Sequence, residues 1–102
     1  MVVRAVRGAT CLGADDADEM RGAVVELVLA MLERNGLHTD DLISVLFTAT
    51  PDLVSAFPAG AARALDIGDV PLICAQEIDV IGAMPRVVRV MARGALHEAT
   101  GE

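Results

Sequence analysis

The chain has 102 residues, 54% of them apolar, and a formal net charge of −7 at neutral pH. A domain of this length buries roughly 60–65% of the surface of its unfolded chain, which is enough for one core and not for two. The acidic balance argues against nucleic acid as a main partner, since phosphates want a basic face. The longest apolar run, Ala23 to Leu32, is broken by Glu26 and is too short to span a membrane.

Phe47 and Phe57 are the only aromatics, and Trp, Tyr and Lys are absent, so the core has to be aliphatic. All eight basic residues are arginine. Without lysine there is no Schiff base and no lysine general base; without tyrosine there is no phenol donor. Cys11 and Cys74 form no CxxC pair, and His38 and His97 stand far apart. Clustered metal ligands are therefore missing. Two cysteines without a signal-peptide pattern lead us to expect reduced thiols and a cytoplasmic protein. The apolar excess in so short a chain leads us to expect an oligomer interface.

In chain order, Val2 to Arg7 predicts a first strand, rich in β-branched residues. Arg4 and Arg7 fall on opposite faces of it. Gly8 to Gly13 is expected as loop. Residues 16–34 predict the one long helix, with Asp16 as N-cap and Glu19 three residues on in a capping-box-like arrangement. Met20, Val24, Leu27 and Met31 make one buried stripe, and Asn35-Gly36 stops the helix. Leu42 to Thr48 is a near-continuous apolar run and predicts a buried central strand. Pro58 suits the first residue of a short helix, ending near Gly68. Val70 to Ile78 predicts a third strand and Arg86 to Arg93 a fourth. Gly94 to Glu102 has lost the periodicity and is expected as a weak tail. The order β-α-β-α-β-β makes this a single α+β (mixed α/β) domain over residues 1–102, with helices on one face of the sheet.

Arg7, Cys74, Gln76, Glu77 and Arg89 lie on or beside apolar strands, and buried charges need partners. Two readings stay open: internal or intersubunit ion pairs, or a pocket in which two arginines and a carboxylate take a small anion. Cys74 suits a small buried hydrophobe better than a nucleophile, and Phe57-Pro58 suits a staple-like contact better than a ligand contact. No glycine-rich phosphate loop is present.

The segments Val6-Arg7-Gly8-Ala9-Thr10, Thr48-Ala49-Thr50-Pro51-Asp52-Leu53, Ala56-Phe57-Pro58-Ala59, Ala62-Arg63, Val70-Pro71-Leu72, Cys74-Ala75-Gln76-Glu77-Ile78-Asp79-Val80 and Arg86-Val87-Val88-Arg89-Val90-Met91 resemble the AroH-class chorismate mutases. The likeness runs in order from Val2 to about Met91. It implies a barrel-like homotrimer with a mixed sheet core, helices outside and active sites between neighbouring subunits. It implies the Claisen rearrangement of chorismate to prephenate, on the way to phenylalanine and tyrosine, with no cofactor and no metal. By resemblance, Arg89 faces the breaking ether bond and Arg7 holds a substrate carboxylate. Glu77 and the region of Ile73 and Cys74 serve the ring hydroxyl. Phe57 and Ala59 line an apolar wall contributed by the neighbour, and Arg63 lies near the mouth. Two departures stand out. Gly60 replaces a lysine frequent in the family. Ala95-Leu96-His97-Glu98 does not resemble the family's closing segment with its carboxylate-binding tyrosine, so a shortened member with an open site and weakened substrate binding is expected. The alternative is a non-catalytic trimeric protein that binds or senses a small anion on the same fold. An enzyme of another trimeric α/β family, acting on imines or enamines, fits the quoted segments poorly.

Overall fold

A computed structural model of the chain describes residues 1–67 and 69–96. Among these residues lie the strands β1 (Val2–Cys11), β2 (Leu42–Ala49), β3 (Leu72–Gln76) and β4 (Val87–Leu96). The helices are α1 (Ala17–Arg34) and α2 (Ala62–Leu65), with 3₁₀ turns at Thr39–Asp41 and Pro58–Ala61.

Helix α1 starts where the capping chemistry predicts. The Asp16 carboxylate accepts the Glu19 backbone N–H at 2.9 Å, satisfying one of the free donors of the first turn. The capping box stays half-made, because the Glu19 carboxylate accepts from the Gly13 N–H instead and ties the helix start to the loop after β1. At the other end Gly36 takes φ +65°, and the Leu37 N–H returns to the Leu32 carbonyl at 2.9 Å. That left-handed closure is the stop that glycine permits. Met20, Val24, Val28 and Met31 are buried, with Leu27 half-buried beside them.

The sheet order is β1-β4-β2-β3. β4 runs antiparallel to both of its neighbours, and β2 pairs parallel with β3. β2 is thus an inner strand, as its apolar run predicts. The pairing aligns Val6, Gly8 and Thr10 with Ala92, Val90 and Val88. It continues with Val45 and Phe47 against Ala92 and Val90, and with Leu72 and Cys74 against Val45 and Phe47. This face joins the core, where Phe47, Val24 and Val88 are fully enclosed. Gly8 passes close beneath α1: a Cβ there would meet Leu27 Cδ1 and Met31 Sδ at 2.9 Å.

Four expectations need correction. Gly8 to Cys11 is strand, not loop, because the ladder with β4 continues through Cys11 opposite Val87. Gly94 to Leu96 is likewise strand, paired with Arg4 to Val2, and Gly94 leaves room for Leu37 above it; residues 97–102 of the expected tail lie outside the described residues. β3 is shorter than predicted, since its parallel partner β2 supplies registered residues only from Val45 to Ala49. The short helix is stopped by Asp66 in a left-handed conformation (φ 56°), before Gly68, which is not described.

The other face of the sheet carries Ala5, Arg7 and Ala9, then Arg89, Met91 and Arg93, then Leu46 and Thr48, and at the edge Ile73 and Ala75. It stands open in the single chain: Met91 is 44% exposed and Ile73 62%. One face of the buried central strand that the Leu42 to Thr48 run predicts is thus uncovered in the single chain.

Candidate active site

Register decides which polar residues meet. Arg89 is the third residue of β4, on the open face, opposite Ala9 of β1 and Thr48 of β2. Arg7 sits opposite Met91, the next residue of β4 on that face. Arg7 and Arg89 are thus diagonal neighbours, a relation that spans roughly 7–8 Å in a sheet. Between them lies a hollow of about 490 Å³ lined by Arg7, Ala9, Leu46, Thr48, Arg89 and Met91.

Glu77 follows β3 directly. Its N–H donates to the Ala49 carbonyl at 2.9 Å, which extends the ladder by one residue and turns the carboxylate onto the open face. Glu77 Oε2 accepts the Thr48 hydroxyl at 2.7 Å, and Oε1 accepts from Arg89 Nη1. The Arg89 side chain is 54% exposed and that of Glu77 18%. An ion pair so open adds little to stability. Its effect is orientation: Glu77, itself held by Thr48, fixes the direction of the Arg89 guanidinium. Arg7 has no carboxylate partner among the described residues. Two fixed positive charges and one negative leave this hollow net positive on an acidic protein. Arg89 is thus ion-paired with Glu77 in the single chain, and both readings of the charges, ion pair and anion pocket, are compatible with that contact. These charges are not buried, since the face that would enclose them is uncovered.

The remaining predicted residues lie elsewhere on the chain. Phe57 and Cys74 line a second hollow of about 530 Å³, together with Ala49, Thr50, Val54, Ala56 and Gln76. Cys74 is half-buried on the helix side of the sheet. Phe57 is 79% exposed, so it is no staple for the turn that Pro58 begins. Ile73 is on the open face, in a shallow third hollow with Leu46, Met91 and Arg93. Ala59 packs half-buried against the core, and Arg63 is exposed on α2. The structure therefore joins Arg7, Glu77 and Arg89 and separates them from Phe57 and Cys74. Thr48 escaped the sequence reading as a site residue. Its signal was available: a hydroxyl at the end of an otherwise apolar strand.

Among the described residues no group of three or more His, Cys, Asp or Glu is placed to hold a metal ion. No helix there is long and apolar enough to cross a membrane. The arrangement places the guanidinium groups of Arg7 and Arg89 on either side of one hollow, where a small anion could be held.

Two carboxyls are held below the ordinary aspartate range. For Asp52 the main cause is the Thr50 hydroxyl, and for Asp15 it is the Ser55 side chain. A carboxyl lowered in the folded state contributes stability above its unfolded value and loses it as pH falls through the folded value. The melting temperature is therefore expected to fall below about pH 4, and less steeply in the Asp15→Asn/Asp52→Asn double variant. Melting curves from pH 7 to pH 2 check this; identical acid profiles would contradict it.

The chain matches the family model for chorismate mutase type I over residues 3–102. It belongs to that family and is an isomerase of its class. It is 47% identical over 92 residues to the chorismate mutase AroH of Thermus thermophilus, covering 89% of this chain and 75% of that one. With the chorismate mutase AroH of Bacillus subtilis the identity is 38%, covering 89% and 72%. A solved chorismate mutase from Clostridium thermocellum superposes with a TM-score of 0.89 at 41% identity, covering 95% of this chain and 87% of that one. The family match takes in the segment from residue 94 onward, which the sequence resemblance had left out.

Proposed function

We propose that the chain rearranges chorismate to prephenate at sites formed between neighbouring subunits of a homotrimer. The observation that carries this reading is the Glu77-oriented guanidinium of Arg89 beside the unpaired Arg7 on an open sheet face. The reaction is unimolecular and pericyclic, so it asks for no nucleophile, base or cofactor. As the C–O bond breaks, negative charge gathers on the ether oxygen. A guanidinium already aimed there binds the transition state more strongly than the ground state. Arg7 takes a carboxylate of the substrate through its two-pronged donor geometry. Glu77 has accepting capacity left for the ring hydroxyl. Gripping a carboxylate and the hydroxyl selects the compact conformer in which the reacting ends meet.

The homotrimer is supported by the same geometry. Phe57 and Cys74 belong to the site by resemblance, yet they line a hollow apart from Arg7 and Arg89. A neighbour that brings its Phe57, Ala59 and Arg63 against the open face of this chain completes one site. It also covers the uncovered apolar residues Met91 and Ile73. The expected cellular setting is the cytoplasm.

The test is a continuous spectrophotometric assay of chorismate loss with the purified protein. Turnover well above the uncatalysed rate is expected. Binding of a dicarboxylate transition-state analogue without turnover would instead favour the non-catalytic anion binder.

A further inference from the structure

One cluster of polar groups near Arg89 has no part in substrate contact as described above. Thr50 is the buried polar residue of the described chain, 8% exposed. Its N–H donates to the Val87 carbonyl and its hydroxyl accepts the Val87 N–H, each at 3.0 Å. The Thr50 hydroxyl in turn donates to Asp52 Oδ1 at 2.6 Å. The Asp52 carboxylate also accepts the Arg86 N–H, at 3.0 and 3.2 Å from its two oxygens. Arg86 takes φ +52°, a left-handed conformation that is strained for a non-glycine residue. Its side-chain Nε donates to the Leu12 carbonyl and its own carbonyl accepts the Leu12 N–H. Asp52 thus clamps the one strained residue that turns the chain into β4, three positions before Arg89.

We infer that Asp52 is a positioning residue for the reaction: by fixing Arg86 it sets the register and direction in which β4 presents Arg89. The inference rests on the role of Arg89 proposed above. The geometry supplies its own control. Asp15 is a second exposed aspartate bonded to the same loop, accepting the Val54 and Ser55 N–H groups at 3.0 Å each. It makes comparable bonds but holds the loop, not the start of β4.

The experiment compares Asp52→Ala, Asp15→Ala, Arg89→Ala and the double variant Asp52→Ala/Arg89→Ala, by steady-state kinetics with chorismate and by thermal melting. A catalytic group displaced by about 1 Å loses rate on the order of 10²-fold. Asp52→Ala is expected to lower kcat by about tenfold to a hundredfold with KM changed by less than about threefold. Asp15→Ala is expected to lower the melting temperature comparably and leave kcat within about twofold. In the Arg89→Ala background the Asp52 substitution is expected to cost little more, because residues acting through one group do not add. Asp52→Asn keeps one oxygen for the Arg86 N–H and is expected to recover part of kcat. Equal kcat losses in both aspartate variants, or full additivity with Arg89→Ala, would overturn the inference. So would failure of both Asp52 variants to fold, which would assign the carboxylate to stability alone. Absence of turnover in the unaltered protein would instead overturn the proposed function.

Discussion

Arg89→Ala is expected to lower kcat at least 10²- to 10³-fold, about the cost of deleting one preorganised donor to a developing oxyanion. The loss should reach the upper part of that range, because a full charge disappears and not only a hydrogen bond. KM should change less, since Arg7 still holds a carboxylate. The melting temperature should move little: the Arg89 side chain is 54% exposed, pairs with so exposed a partner contribute about 0–1 kcal/mol, and Glu77 keeps the Thr48 hydroxyl as a donor. Arg89→Lys should not restore the rate. An ammonium has no planar fork with which to engage Glu77 and the ether oxygen together. Steady-state kinetics with chorismate decide the matter, and an Arg89→Ala protein within tenfold of the unaltered one would remove Arg89 from the role assigned to it.

The second expected result concerns where a site is made. Phe57→Asp sets a carboxylate against a dicarboxylate substrate on an exposed wall residue, and it should abolish useful turnover. Arg89→Ala abolishes it from the other side. If each site is shared between two subunits, mixing the two inactive proteins regenerates complete sites, one good half from each. Unfolding and refolding an equimolar mixture should restore about a quarter of the activity of the unaltered protein, the fraction expected from random assembly in a closed ring. Sites held within one chain would recover nothing. Gel filtration of the same samples reports whether the trimer has formed.

Much of the fold was legible because local chemistry and tertiary packing agree. Asp16, Gly36 and the Met20–Val24–Leu27–Met31 stripe locate α1 without help from the rest of the chain. The apolar run from Leu42 predicts an inner strand, and β2 is one. Apart from the end of α2, set locally by Asp66, the misjudged boundaries are those settled by partners distant in sequence. Gly8 and Gly94 look like strand ends, but each is a strand interior where a side chain from α1 or the loop after it, Met31 or Leu37, takes the empty space. The charged residues of the site were legible as polar residues out of place. Their grouping was not, because it depends on strand order. Arg7, Glu77 and Arg89 come together only once β4 lies between β1 and β2 and β3 extends alongside. Thr48 was missed for the same reason: its partner Glu77 is 29 residues away.

That strand order has a consequence for how the protein comes into being. Among the described strands β4 comes last in the sequence, yet there it is the one ladder partner of β1 and the antiparallel partner of β2. Until its residues are available, β1 has no partner among the described strands and β2 presents an open edge. Such edges invite pairing with other chains. Native pairing has to wait for contacts between the two ends of the described chain, Val2 with Leu96, and contacts so distant in sequence form slowly. The strand that carries Arg89 is therefore also the one that closes the sheet. Binding competence and a protected fold arrive in the same step, and a nascent chain without β4 has neither.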